Sequence, residues 1–122
     1  MYNHDTLFLD RDGVINKKLQ GKYVCNFLDF EFMPGALKAI SDLTNIFNRI
    51  IIVTNQQGIG KGIMTENDLN ILHQKMQRKL DPEINLIDKI YFCPCLEEKK
   101  CNCRKPKTGM LENAKIDFPD IN

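Results

Sequence analysis

The sequence has no excess of either charge: 17 Lys and Arg stand against 16 Asp and Glu, a net charge of +1. A general nucleic-acid or polybasic membrane binder needs a basic surplus, and no groove of interleaved aromatic and basic residues replaces it. Neither partner is expected. No apolar run approaches the roughly 18 residues of a membrane span. Leu7-Phe8-Leu9 is the only apolar stretch near the amino terminus, too short for a signal peptide. Internal repeats, low-complexity tracts and charge blocks are also lacking. The two histidines, His4 and His73, are isolated, and a surface or packing role is expected for each. The five cysteines are an odd count, and four of them lie between positions 93 and 103. A secreted disulfide framework would spread an even number along the chain, so the expectation is a reducing, cytosolic compartment and a metal site.

What is present suffices for one domain: 122 residues, 43% hydrophobic and 27% charged. Thr6 to Leu9 is a short apolar run ending at Asp10, the pattern of a strand buried on both faces. Ile50-Ile51-Ile52-Val53 is a stronger, β-branched example ending at Thr54. Ile87 to Phe92 is a third, leading into Cys93. Pro34 and Gly35 open a segment with Leu37, Ile40, Leu43 and Phe47 at helical spacing, which predicts a helix over about 34–47. Leu69, Leu72, Met76 and Leu80 share one face of a second helix, and Thr65 with Asp68 forms a capping box at its start. Alternating strands and helices of these lengths make a parallel α/β sheet. Residues 13–33 are a long excursion after the first strand, of the kind that serves as a lid or binding loop.

In such sheets ligands bind beyond the carboxyl ends of the strands. After the first strand stands Asp10-Arg11-Asp12-Gly13, whose carboxylates at i and i+2 point toward one site, or form a solvated acidic turn. After the second stands Thr54-Asn55-Gln56-Gln57-Gly58-Ile59-Gly60-Lys61-Gly62. Its hydroxyl, amides, glycines and lysine suit an anion, although neither common nucleotide motif fits and a plain connecting loop is the alternative. After the third come Cys93-Pro94-Cys95 and Cys101-Asn102-Cys103-Arg104-Lys105. Four cysteines this close can enclose one tetrahedral, structural Zn²⁺, with Lys99, Lys100, Arg104 and Lys105 offsetting the thiolate charge. A redox or disulfide cluster is the rival reading. Cys25 stands apart as a core or loop thiol. Two acids, a hydroxyl and a lysine at the strand ends suit phosphoryl transfer to a carboxylate nucleophile.

Leu7-Phe8-Leu9-Asp10-Arg11-Asp12-Gly13-Val14-Ile15-Asn16, Val53-Thr54-Asn55-Gln56 and Cys103-Arg104-Lys105-Pro106 resemble the first three motifs of the haloacid dehalogenase (HAD) superfamily. The match is closest to its small-capped phosphatases, which include heptose 1,7-bisphosphate and histidinol phosphatases. The resemblance implies a three-layer, Rossmann-like fold around a central parallel sheet, and a single phosphatase domain over 1–122 with a zinc loop at 93–103. It implies Asp10 as the nucleophile and Asp12 as general acid and then base, with a raised pKa. Thr54 and Lys105 would hold the phosphoryl oxygens, while Asn16, Asn55 and Arg104 would shape substrate binding. Mg²⁺ would be held by Asp10 and Asp12. Structural Zn²⁺ would be held by Cys93, Cys95, Cys101 and Cys103, with Cys95 where those relatives commonly carry histidine. The partner implied is a small phosphorylated substrate, a heptose bisphosphate ahead of histidinol phosphate.

The pattern departs at its fourth motif, a strand ending in Gly-Asp that supplies a further Mg²⁺-binding acid. The sequence stops at Asp120-Ile121-Asn122, and Asp117 and Asp120 lie too near the preceding helix and Pro119 to replace it. The expectation is a carboxyl-terminally incomplete domain lacking the strand beside strand one, less stable and weak in Mg²⁺ binding. Two other functions compete: a non-catalytic, zinc-stabilised fragment, and a phosphotransferase or nucleic-acid end phosphatase of the same superfamily.

Overall fold

The computed structural model describes residues 5–81 and 86–121. Strands β1 (Thr6–Leu9), β2 (Arg49–Asn55) and β3 (Lys89–Cys93) alternate with helices α1 (Ala36–Leu43), α2 (Glu66–Leu80) and α3 (Gly109–Asp117). The strands form one parallel sheet in the order β1-β2-β3, with Leu7 opposite Ile50 and Val53 opposite Tyr91. The β-branched run of β2 is covered on both faces. Ile50 and Ile52 pack with Ile40 of α1 and with Leu69, Leu72 and Met76 of α2. Ile51 and Val53 pack with Met110 and Ala114 of α3. Helices therefore lie on both sides of the sheet, the expected three-layer α/β arrangement. Among the described residues no helix is long and apolar enough to cross a membrane.

The capping box of α2 is formed: the Asp68 amide donates to the Thr65 hydroxyl oxygen at 3.0 Å, and the Thr65 amide donates to the Asp68 carboxylate at 2.9 Å. Helix α1 is shorter than its apolar spacing predicts. Gly35 sits at φ 80°, a left-handed conformation that cannot continue a helix, so α1 begins after it. Past Leu43 the backbone tightens into i to i+3 turns, with the Ile46 amide donating to the Leu43 carbonyl at 3.0 Å. Strand β1 also departs from expectation. Its four residues are only half-buried, because among the described residues it has a neighbour on one side alone.

The excursion after β1 is anchored. Ile15, Val24 and Phe30 are buried in the core shared by α1 and α2. Phe30 stacks on Phe27 with ring centroids 5.3 Å apart and meets Phe32 edge-on at 5.0 Å. The Met33 amide donates to the Ile15 carbonyl at 2.8 Å, closing the base of the loop. Core truncation tests this packing. Leu72→Ala, at a position 1% exposed, is expected to destabilise the fold by about 2–5 kcal/mol, measured as a lowered urea midpoint with unchanged m-value. A loss below about 1 kcal/mol would show that α2 does not seal the core.

Candidate active site

The carboxyl ends of β1 and β2 and the loop after β3 converge on a cavity of ≈ 240 Å³ lined by Asp10, Asp12, Asn55, Arg104 and Lys105, with Lys18 and Lys22 at the excursion side. Asp10 directly follows β1 and is partly open to solvent. Its Oδ2 lies 3.0 Å from Lys105 Nζ, and its Oδ1 accepts the Arg11 amide at 2.7 Å. Lys105 Nζ also donates to the Val53 carbonyl at 3.0 Å, so the ammonium bridges the ends of β1 and β2.

Gly13, at φ 85°, turns the chain immediately after Asp12. The Arg11 carbonyl then accepts the amides of Val14, Ile15 and Asn16, which fixes that turn. The Asp12 carboxylate is held from three directions. Oδ1 accepts from Arg11 Nη2 at 2.8 Å, Arg11 Nε at 3.2 Å and Asn16 Nδ2 at 3.0 Å; Oδ2 accepts from Gln56 Nε2 at 3.0 Å. The raised pKa expected for Asp12 is not found. Burial pushes it up, but the Arg11 charge and the hydrogen bonds from Arg11, Asn16 and Gln56 outweigh burial and hold the carboxyl below its usual range.

Thr54 ends the apolar run of β2 and is buried; its hydroxyl oxygen accepts from Gln56 Nε2 at 3.0 Å. Asn55 lines the cavity, yet its amide is engaged by the Lys105 backbone, accepting from Lys105 N at 3.0 Å. It braces the loop that carries Lys105. Asn16 differs from its expected place among substrate-binding residues. It is fully buried behind Asp12, and its Nδ2 is divided between Asp12 and the Lys17 carbonyl. Arg104 borders the cavity with Nη1 buried and unpartnered among the described residues. That orphan donor is ready for an anion.

Arg11, Gln56 and His73 carry functional placement that motif reading did not assign. Arg11 is 0% exposed, and its Nη1 lies 3.1 Å from His73 Nε2 on α2. An arginine between two aspartates that must sit at the sheet's mouth was the available signal for Arg11. His73 offered only its place on the apolar face of α2, between Leu69 and Met76. His4 lies outside the described residues. Cys25 is a half-buried loop thiol whose Sγ reaches the Tyr23 carbonyl at 3.4 Å.

The loops are locked together around the cavity. A Cβ on Gly60 would meet the Pro94 carbonyl oxygen at 2.5 Å, so glycine is what lets the loop after β2 lie against the cysteine loop. Gln57 links Tyr23 and Glu97, donating to the Tyr23 hydroxyl at 2.9 Å and accepting from the Glu97 amide at 3.3 Å. The four cysteines do converge. Cys93 is joined to Cys103 and Cys95 to Cys101 as disulfides, the arrangement that sequence reading ranked behind zinc. The donor set also fits a metal. The sulfurs of Cys93, Cys95 and Cys103 lie within 4.8 Å of one another, and Cys95 Sγ is 3.9 Å from Cys103 Sγ. The edge of a zinc–thiolate tetrahedron is about 3.8 Å for Zn–S bonds of about 2.3 Å.

Asp117 and Asp120 stand away from Asp10. Asp117 pairs with Lys89 at 2.9 Å and accepts from Tyr91, while Asp120 is gripped by both terminal nitrogens of Arg49 at 3.1 Å. Lys89 and Arg49 begin their strands, so these acids secure the end of the sheet opposite the cavity. Among the described residues no third carboxylate joins Asp10 and Asp12 within metal-binding reach.

A parallel sheet with helices on both faces gives this chain the fold of the haloacid dehalogenase-type phosphatases. The profile of the family described as Polynucleotide kinase 3 phosphatase matches residues 6–121, and the chain belongs to that family. It is 44% identical over 114 residues to a D-glycero-alpha-D-manno-heptose-1,7-bisphosphate 7-phosphatase of Mycobacterium bovis, covering 93% of this chain and 60% of that protein. A Thermoplasma volcanium protein named "Probable D-glycero-D-manno-heptose-1,7-bisphosphate 7-phosphatase" is 43% identical over 118 residues, covering 93% of this chain and 80% of the relative. Among solved structures, the D,D-heptose 1,7-bisphosphate phosphatase from B. bronchiseptica, complexed with magnesium and phosphate, superposes with a TM-score of 0.85 at 33% identity. That alignment covers 94% of this chain and 64% of the other.

The buried histidine makes acid stability testable. Burial first, and then the Arg11 charge, lowers the His73 pKa from 6.5 to about 3. Between those values the unfolded chain binds a proton at His73 and the folded chain does not, so stability falls as pH falls through that window. His73→Gln is expected to flatten the decline of Tm between about pH 6.5 and about pH 4. Parallel declines in the two proteins would show that His73 is charged in the fold.

Proposed function

We propose that this chain carries the catalytic constellation of a phosphomonoesterase acting on a small sugar phosphate through an aspartyl-phosphate. The observation that carries this reading is the 3.0 Å Asp10–Lys105 pair at the mouth of the parallel sheet, beside an oriented Asp12. Asp10 Oδ attacks phosphorus, the bond from phosphorus to the ester oxygen breaks, and a proton passes from Asp12 to the leaving alkoxide. In the second step Asp12 takes a proton from water, the water oxygen bonds to phosphorus, and Asp10 is released as inorganic phosphate departs. Lys105 neutralises charge on the phosphoryl oxygens, and the Thr54 hydroxyl, at the end of β2, would donate a hydrogen bond to one of them. Asp12 is ionised in the substrate-free site, the form needed for the second step; the proton for the first arrives with the substrate's phosphate monoanion, whose pKa lies near 6.

Mg²⁺ suits the oxygen donors here: the Asp10 carboxylate and the Asp12 main-chain carbonyl would hold it. When bound, it adds positive charge against the phosphoryl oxygens. Lys18, Lys22 and Arg104 on the cavity wall favour a substrate with a second anionic group, and the names of the relatives point to a heptose 1,7-bisphosphate over histidinol phosphate.

Phosphate release by the 122-residue chain, with Mg²⁺ and with EDTA, tests the reading. Heptose 1,7-bisphosphate is expected to be turned over fastest, ahead of histidinol phosphate and a 3′-phosphorylated oligonucleotide. Asp10→Asn should reduce turnover by at least about 1000-fold. Turnover retained in that variant would exclude Asp10 as the nucleophile, and preference for the oligonucleotide would replace the sugar substrate with a nucleic-acid end.

We infer also that, with both cysteine pairs in the reduced form, the four thiolates hold a structural Zn²⁺ that stiffens the loop bearing Arg104 and Lys105. The expected result is one zinc per chain after purification under reducing conditions, with Tm lowered by chelation and by Cys95→Ser. Metal-free protein in which only Cys25 reacts with a thiol reagent would assign the cluster to disulfides instead.

A further inference from the structure

Arg11 lies between the two aspartates in sequence, yet its side chain leaves the cavity and is wholly buried. Its guanidinium touches three groups. Nε and Nη2 donate to one oxygen of Asp12, Nη1 faces His73 Nε2 at 3.1 Å, and the plane lies 6.0 Å from the Phe30 ring centroid. A neutral imidazole is the partner such a donor needs: Nε2 accepts, and the ring proton sits on Nδ1. The consequence is an asymmetric carboxylate. Oδ1 of Asp12 accepts three donors, while among the described residues Oδ2 accepts only Gln56 Nε2, which also reaches Thr54 Oγ1 at 3.0 Å. A carboxylate transfers a proton through the oxygen with a free lone pair, which here is Oδ2.

We propose that Arg11, anchored from behind by His73 of α2, is a positioning residue that fixes Asp12 so that Oδ2 alone faces the reacting phosphate. The inference rests on Asp12 as the proton-transfer group. His73 thereby couples α2 to the turn bearing Asp12, because it is buried on the same helix whose Leu69, Leu72 and Met76 join Ile50 and Ile52 of β2 in the core. Removing the acceptor leaves a buried guanidinium N–H unpartnered, and the fork can rotate off Asp12. Removing the fork while keeping the charge, as in Arg11→Lys, preserves neutralisation but loses the two-pronged grip.

The experiment uses the full 122-residue chain and its His73→Phe, His73→Gln and Arg11→Lys variants, with p-nitrophenyl phosphate and heptose bisphosphate. The nitrophenolate leaves without a proton, so the first step needs no acid, whereas hydrolysis of the aspartyl-phosphate still needs Asp12 as base. His73→Phe and Arg11→Lys are expected to lower kcat about 10- to 100-fold, part of the 10²–10⁴ that general acid–base catalysis contributes, with KM little changed. Phosphorylated enzyme should accumulate on p-nitrophenyl phosphate, seen by intact mass. His73→Gln, whose side-chain oxygen can accept the Arg11 N–H, should restore most of the rate.

Unchanged kcat in both variants, or equal loss of phosphorylation and hydrolysis with a raised KM, would overturn the positioning role. A second readout does not depend on turnover. The Arg11 Nε–H resonance should be protected from solvent exchange in the unmodified chain, and lose protection in Asp12→Ala and His73→Phe. Fast exchange in the unmodified chain, or protection retained in both variants, would overturn the proposal even if the chain hydrolyses nothing. If Asp10→Asn and the unmodified chain are equally inactive, the phosphatase reading fails separately.

Discussion

Ile50, Ile51, Ile52 and Val53 are between 0 and 7% exposed, so β2 has no polar face to offer water. A strand closed on both faces obliges helices to cover each side, and parallel connections return every chain crossing to the same end. Polar chemistry is thereby driven to the carboxyl ends of the strands, where backbone and side chains can meet solvent. Asp10, Thr54 and the loop bearing Lys105 are gathered there for that reason. The acids at the other end, Asp117 and Asp120, act as fasteners between α3 and the strand beginnings.

Two carboxylates so close together repel, and burial adds to the cost for Asp12. The structure divides the compensation. Asp10 remains partly open and is paired with the partly exposed Lys105. Asp12 is tied to a buried guanidinium that cannot move without disturbing α2. A partly exposed cation beside Asp10 and a buried cation beside Asp12 suit the different demands that the proposed mechanism makes on the two groups: one would exchange partners during turnover, the other would keep its aim.

The cysteine loop supports the same geometry from the opposite wall. Cys93 closes β3, and Cys103 lies two residues before Lys105, so any bond among the sulfurs shortens the tether on Lys105. Asn55 completes the brace by holding the Lys105 backbone, and Gly60 allows the neighbouring loop to seat against Pro94. The chain spans 60% of the length of its mycobacterial relative, and β1 is half-buried with one neighbouring strand among the described residues.

Much of this was legible without coordinates. Local patterns are written into consecutive residues, so the apolar run of β2, the Thr65–Asp68 cap and the Asp10-Arg11-Asp12-Gly13 turn could be read directly. The end of α1 at Leu43 and the start of β3 at Lys89 could not, since turns and pairing decide them rather than periodicity. Asn16 looked like a substrate ligand because it follows the acidic motif, yet the turn after Gly13 folds it behind Asp12. The sequence by itself determined the parallel α/β class, the two acids, the lysine and the cysteine cluster, because each depends on residue type at short spacing. Only the tertiary structure decided that Arg11 turns inward to His73, 62 positions away. It also decided that Gln56 bridges Thr54 and Asp12, and that the Asp12 carboxyl is held below its usual range by Arg11, Asn16 and Gln56. Those outcomes depend on which distant groups share a buried, low-dielectric space, and no local pattern records that.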